Sequence, residues 1–128
     1  MDESEVHRKY CNIVKKQLLR DAVLFLKNTK GFDKINLLDL GSGRGGDIFK
    51  WGSLKINRVY GVDPDVSSVE EAINRYKKNR RKCVSKVSFY KRSATDTGFI
   101  TDKILHKRKV NMVSCMFALH YFFENPQL

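Results

Sequence analysis

No apolar run in the 128 residues approaches the roughly 20 that span a bilayer, so no membrane-crossing helix is expected. Cysteine is scarce and scattered: Cys11, Cys83 and Cys115 are the three in the chain and form no close pair. An odd set of this kind predicts a reducing compartment and argues against a disulfide scaffold or a zinc site. The opening Met1-Asp2-Glu3-Ser4-Glu5 is acidic and lacks the basic-then-apolar order of a secretory signal, so export is not expected. Internal repeats and low-complexity tracts are absent as well. Acid is the last shortage, since 14 Asp and Glu stand against 25 Lys and Arg, a formal charge of +11.

The remaining composition predicts one water-soluble domain with a core: 41% of residues are hydrophobic, 30% are charged, and the mean hydropathy is -0.45. The basic excess favours a polyanionic partner, because Lys and Arg that neutralise phosphates release condensed counterions. It is concentrated in Lys77-Lys78-Asn79-Arg80-Arg81-Lys82 and Lys107-Arg108-Lys109, with Arg8-Lys9 and Lys15-Lys16 near the start. Any one block is also what a solvated helix end looks like.

Hydrophobic periodicity predicts a helix over Val6 to Lys27, with Ile13, Val14, Leu18, Leu19, Ala22 and Val23 among its apolar positions. Ile35 to Leu40 is a short apolar run ending in glycines, the pattern of a buried parallel strand. A helix is expected over Asp47 to Leu54, a strand over Arg58 to Val62, and a second helix over Ser67 to Lys78, opened by Ser67 or Ser68 with acids in its first turn. Val87 to Tyr90 reads as a third strand, Phe99 to His106 as a short helix, and Val110 to Met116 as a fourth strand. The alternation predicts an α/β fold: a Rossmann-like, doubly wound, mostly parallel sheet over residues 35–128, preceded by a helical segment over residues 1–30. Four strands are fewer than such a sheet usually has, so the chain is expected to be the N-terminal half of a larger domain.

Asp39-Leu40-Gly41-Ser42-Gly43-Arg44-Gly45-Gly46-Asp47 sits between the first strand and a helix, and Gly41-x-Gly43-x-x-Gly46 matches the dinucleotide-loop spacing. Asp63 closes the second strand, where doubly wound folds place an acid on the ribose hydroxyls of a nucleoside ligand. Turn chemistry in Asp63-Pro64-Asp65 is the plainer explanation for that acid, and the loop upstream weighs against it. Asp39 and Asp47 suit a sulfonium and an amino group, whereas a pyrophosphate would be repelled. Asp47 can also serve as a first-turn acid facing a helix dipole. Phe117-Ala118-Leu119-His120-Tyr121-Phe122-Phe123 follows the fourth strand and offers rings to stack a purine and a His to bind its edge or a phosphate.

The segment from Asp39 to Trp51, taken with Phe117-Ala118-Leu119-His120-Tyr121, resembles the mRNA cap guanine-N7 methyltransferases, most of all the methyltransferase domain in capping enzymes of large DNA viruses. The resemblance runs from about Arg8 to Phe123. It implies a class I methyltransferase that uses S-adenosyl-L-methionine to methylate N7 of the cap guanosine at the GpppN end of RNA, by in-line displacement with no catalytic base and no metal. Carried over by position, it implies that Lys15, Asp39, Gly41 and Asp47 hold the methionine part of the cofactor, that Asp63 holds its ribose, and that Gly43 also binds the cofactor. Asp96 is the candidate for the adenine, with Ser93 the alternative, and Met116 lies near the cofactor where Gln is usual. Asn12, Arg44, Arg75, Phe117, His120 and Tyr121 fall on cap-contacting positions, with Lys50 as a further cation for the triphosphate. Cys11 stands where the family often has a second Asn.

Partners implied are capped RNA and a further capping-enzyme domain or stimulatory subunit, with no membrane. A viral source places the protein in the cytoplasm and a cellular one in the nucleus. Two other readings stay open on the residues alone. One is a catalytically incomplete module that binds cofactor, RNA or a partner; the other is an NAD-dependent oxidoreductase, which leaves Asp39 and the aromatic run unexplained.

Overall fold

Strands whose residues are apolar on both faces need cover on both sides, and the chain meets that need with one parallel sheet flanked by helices. The computed structural model describes residues 2–115. Its strands are β1 (Asn36–Leu40), β2 (Arg58–Asp63), β3 (Lys86–Lys91) and β4 (Met112–Ser114), in the order β3-β2-β1-β4 and parallel throughout. The helices are α1 (Glu3–Asn28), α2 (Ile48–Ser53), α3 (Val66–Asn79) and α4 (Thr97–Phe99). A 3-10 turn, Arg80–Lys82, follows α3, and a π-helical turn, Ile100–Ile104, continues α4. The connections β1 to β2 to β3 progress one way, and β4 returns to the other side of β1. That reversal defines the switch point at which doubly wound sheets bind ligands.

Two compact units make up the chain, Met1–Asp33 and Lys34–Leu128. The first consists of α1, whose N-cap Asp2 accepts the Glu5 N–H at 2.8 Å, with Glu3 and Glu5 in the first turn and Lys27 in the last, all favourably placed on the helix dipole. No helix among the described residues is long and apolar enough to cross a membrane.

In the second unit, alternation along the strands divides the core between two faces. Leu38, Tyr60 and Val62 meet Ile100, Ile104 and Leu105, with Phe99 and Tyr90 at the margin. The opposite face carries Leu37, Val59 and Phe89, and the Trp51 ring of α2 stands 6.1 Å from that of Phe89. Each large apolar side chain buried in this way contributes roughly 1.5–3 kcal/mol. At the amino edge of the sheet three asparagines tie the strand starts together. Asn111 accepts from the Asn36 N–H and donates to the Lys34 carbonyl, while the Asn57 side chain donates to Asn36 Oδ1.

Most ends move by one to three residues, as in α1, which begins at Glu3 rather than Val6, and three expectations change more. α3 is opened by Asp65, not by Ser67 or Ser68: the Asp65 carboxylate accepts the Ser68 N–H at 3.1 Å and both serine hydroxyls, so the better acceptor takes the cap. Its first turn consequently holds no acid. The expected helix from Phe99 to His106 is instead a short α-turn followed by the π-turn, in which Leu105 N–H reaches Ile100 O at 2.8 Å and brings Ile100, Ile104 and Leu105 into one cluster. β4 spans Met112–Ser114 among the described residues, leaving out Val110, Asn111 and Cys115 of the expected strand, whose last residue, Met116, lies outside them.

Gly61 is where the strands leave no room. A Cβ there would lie 2.8 Å from Phe89 Cδ1 and 3.0 Å from Ser42 Cβ. Gly61→Ala is expected to destabilise the chain by about 1–3 kcal/mol through overpacking. Thermal unfolding checks this, and an unchanged midpoint would mean that Phe89 and Ser42 give way freely.

Candidate functional site

β1 ends at Leu40 and the chain turns at once onto the end of β2. The N–H groups of Gly41 and Ser42 donate to the Val62 carbonyl at 2.8 and 3.0 Å. Gly43 follows with φ 59°, in the left-handed region that favours glycine, and its N–H donates to Asp63 Oδ2 at 3.0 Å. Gly45, with φ 79°, is held tighter still: a Cβ would come within 2.9 Å of Ile48 Cδ1 and 3.2 Å of the Ala72 Cα. The loop is therefore seated on α3 by its own lack of a side chain.

Asp63 also accepts the Asp65 N–H, on Oδ1 at 2.9 Å. Both oxygens are thus engaged by backbone, yet a carboxylate has about four lone-pair sites, and two remain for hydroxyl donors. Asp39 sits one strand away, only 5% exposed, where β1 faces β4. Ser114, its register partner, donates its hydroxyl to Asp39 Oδ1 at 2.8 Å. Burial pushes the thiol of the next residue, Cys115, above its ordinary range, and the Asp39 carboxylate adds to the shift, so the thiol stays protonated at neutral pH.

Asp47 is the N-cap residue of α2 but makes no side-chain cap bond; its Oδ1 pairs with Lys50 Nζ at 3.1 Å. Arg44, on the loop, and Arg75, on α3, are brought together by one carboxylate: Glu71 lies 3.5 Å from the first and 3.4 Å from the second. Asp96 caps α4 by accepting the Phe99 N–H and lies 3.4 Å from Arg92, whose guanidinium covers the Phe99 ring at 3.6 Å. Ser93, on the same segment after β3, bonds Thr95. Asn12 and Lys15 lie on α1 in the first unit, three residues apart and so on one helix face. Met116, Phe117, His120 and Tyr121 lie outside the described residues.

The structure thus joins Gly43 with Asp63 directly, seats Gly41 on the neighbouring Val62 carbonyl, and brings Arg44 to Arg75 through Glu71. Ser114 and Glu71 are not singled out by the sequence. Ser114 shows there only as a polar residue inside an apolar strand, and Glu71 as an acid one helical turn before Arg75.

A sequence model of the mRNA (guanine-N(7))-methyltransferase domain matches residues 4–127. The chain belongs to this family. Among its relatives is the mRNA cap guanine-N(7) methyltransferase of Caenorhabditis elegans, 34% identical over 119 residues, which cover 91% of this chain and 31% of that protein. The Drosophila melanogaster enzyme is 30% identical over 128 residues, with 92% and 30% covered, and the Arabidopsis thaliana mRNA cap guanine-N(7) methyltransferase 1 is 37% identical over 93 residues, with 66% and 24% covered. The chain spans about a third of the length of these curated relatives or less. A solved S-adenosylmethionine-dependent methyltransferase from Clostridium acetobutylicum is 15% identical and aligns over 86% of this chain and 43% of that one, with a TM-score of 0.46.

Two outcomes follow for this member of the guanine-N7 methyltransferase family. Ser114→Ala removes a donor from a buried carboxylate and should cost about 1–3 kcal/mol, read from denaturant unfolding. Stability unchanged by that substitution would show that Asp39 draws nothing from Ser114. The Asp65 carboxyl is held below its ordinary value, first by the Ser68 hydroxyl, then by the Ser67 hydroxyl and the Ser68 N–H. A lowered folded value means that the cap contributes above the ordinary carboxylate range and is lost as pH falls through the folded one. Asp65→Asn, which caps without titrating, should match the parent chain near neutrality and lose less thermal stability below about pH 4. Parallel acid limbs for the two chains would rule the cap out as a source of pH dependence.

Proposed function

We propose that the chain forms the S-adenosyl-L-methionine-binding part of an mRNA cap guanine-N7 methyltransferase. The observation that carries this reading is the Asp63 carboxylate, bonded to the Gly43 N–H at 3.0 Å across 20 residues of sequence, so that acid and glycine loop form one rigid element at the carboxyl edge of the sheet. The donor set fits the cofactor. Asp63 has acceptor sites for two ribose hydroxyls, and around Gly43 and Gly46, where a Cβ would meet nothing within 4 Å, the backbone is open to a close approach. Asp39 and Asp47 supply negative charge suited to a sulfonium and an ammonium; a dinucleotide pyrophosphate would meet two acids instead of bare N–H donors, which disfavours NAD.

In this reading Lys15, Asp39, Gly41 and Asp47 hold the methionine part, Asp63 holds the ribose, Asp96 or Ser93 the adenine, and Gly43 and Met116 lie at the cofactor. Asn12, Arg44, Arg75, Phe117, His120 and Tyr121 address the cap. Arg44 and Arg75 are suited to the triphosphate, because Glu71 holds both guanidinium groups near one point and a polyphosphate carries more charge than the carboxylate it would displace. Lys50 is the weaker candidate there, its charge being shared with Asp47.

S-adenosyl-L-methionine supplies the methyl group, carried on a positively charged sulfur. Guanine N7 has a free lone pair, so no residue need remove a proton. The protein's share of catalysis is orientation, and the fixed loop, the Asp63 junction and the paired arginines are suited to it. In this reading acids near the methyl donor and cations near the phosphates would be oriented in advance, which avoids reorganisation when charge shifts.

Calorimetric titration of the chain with S-adenosylhomocysteine, with NAD as control, tests this. Binding that weakens at least about tenfold in Asp63→Ala, about 1.4 kcal/mol, is the expected result, with circular dichroism confirming that the variant is folded. Tighter binding of NAD, or equal affinity for S-adenosylhomocysteine in the folded variant, would overturn it.

A further inference from the structure

The Arg44–Glu71–Arg75 group leaves most of the positive charge on the second unit unused. From Arg75 to Lys86 the sequence holds seven cations, Arg75, Lys77, Lys78, Arg80, Arg81, Lys82 and Lys86, and no acid. The fold adds an eighth, because Arg58 at the start of β2 lies in register with Lys86 at the start of β3. Of these, only Arg75 is in an ion pair among the described residues. Lys77 and Lys78 stand in the last turn of α3 and gain from its dipole. The dipole does not account for the rest, which repel one another across the turn and both strand starts.

This surface is also shaped. Between α3 and β3 lies a hollow of about 460 Å³ whose lining mixes Tyr76 and Phe89 with Arg58, Lys77, Arg80 and Lys86. Both rings are fixed. The Tyr76 hydroxyl donates to the Ser85 carbonyl at 2.9 Å, and Phe89 stands against Trp51. A second hollow, about 590 Å³, runs along Lys77 to Lys82. Phe89, only 9% exposed, floors the hollow, and the half-buried Tyr76 ring is the one open to a base; an aromatic surface set among cations is the arrangement that holds a base and its phosphates in single-stranded nucleic acid. A lipid surface would be met better by aromatics that project than by recessed ones.

We propose that this surface, formed by the end of α3, the 3-10 turn and the starts of β2 and β3, binds the single-stranded RNA body. It is distinct from the cofactor site, since it lies at the amino edge of the sheet, at the far end of α3 from Asp65. α3 links the two. Its 14 residues span roughly 21 Å. Arg75 and Lys78 lie one turn apart on the same helix face, so the cation assigned to the triphosphate is also the first of the row. That continuity rests on the cap reading; the charge and the hollow do not. An RNA chain leaving the cap at Arg75 meets Lys77 and Lys78 in the last turn of α3 and then Arg80, Arg81 and Lys82 in the 3-10 turn.

The test is fluorescence anisotropy of the 128-residue chain with an uncapped single-stranded RNA of roughly 16 nucleotides, titrated at several salt concentrations. The triple variant Arg80→Gln, Arg81→Gln, Lys82→Gln is compared with Lys103→Gln, Lys107→Gln, Arg108→Gln, which removes the same charge elsewhere. The first should weaken binding at least about tenfold and reduce the slope of log K against log salt by about 2, at roughly 0.7 for each phosphate no longer neutralised. The second should stay within about twofold of the parent chain. Equal losses in the two variants, or none in the first, would overturn the proposal. RNA should bind more tightly than inorganic polyphosphate of equal charge, and equality would remove the role of the hollow. Binding to anionic phosphatidylserine vesicles but not to RNA would assign the surface to a membrane instead. Because the RNA is uncapped and no cofactor is present, the result does not depend on the S-adenosylhomocysteine titration that tests the cap reading.

Discussion

One carboxylate holds two crossovers in register. Asp63 ends β2, accepts the Gly43 N–H from the turn after β1, and accepts the Asp65 N–H at the start of α3. The peptide before it completes the junction, because the Val62 carbonyl takes the N–H groups of Gly41 and Ser42. A glycine loop left to itself samples many conformations and loses much entropy on ordering. Here four backbone donors from two turns converge on two consecutive residues, so the loop is fixed before any ligand arrives.

That constraint propagates outward. Seating the loop on α3 requires Gly45, since Ile48 and Ala72 leave no space for a Cβ, and Gly61 is required for the same reason on the strand beneath Ser42 and Phe89. Asp39 is then fixed at the β1/β4 boundary by Ser114, which places buried negative charge at the sheet's switch point. Arg44, carried on the loop, meets Arg75 on α3 only because loop and helix are locked together, with Glu71 supplying the charge that lets two guanidinium groups stand near each other. The electrostatic layout of the second unit is accordingly polarised: acids and paired cations at the carboxyl edge, a dense row of cations without acids at the amino edge.

Much of the fold is legible in the sequence because its signals are local. A short apolar run ending in glycine announces a buried strand, and the alternation of such runs with amphipathic segments announces a parallel sheet. The helix starts are less legible. Asp65, Ser67 and Ser68 are all competent caps, and only the hydrogen bonds show that the carboxylate takes the position while both hydroxyls turn to it. The end of the third crossover is obscure for a related reason: Ile100 and Ile104 keep the i, i+4 spacing of an α-helix, and only the π-turn brings Leu105 onto the same face.

The sequence by itself determined the family, the glycine loop, Asp63 and the uneven charge, because each is written in contiguous residues whose chemistry does not wait for a partner. Tertiary structure alone decided which of those residues meet. Ser114 reaches Asp39 across 75 positions, and Asn36 joins Asn111 across 75 and Asn57 across 21. Such pairs leave no periodic trace, since a hydrogen bond between distant residues constrains one atom at each end and nothing in between. The basic block illustrates both levels: the chain carries its cations in one run, and the parallel register sets Arg58 and Lys86 beside them around a hollow lined with Tyr76 and Phe89.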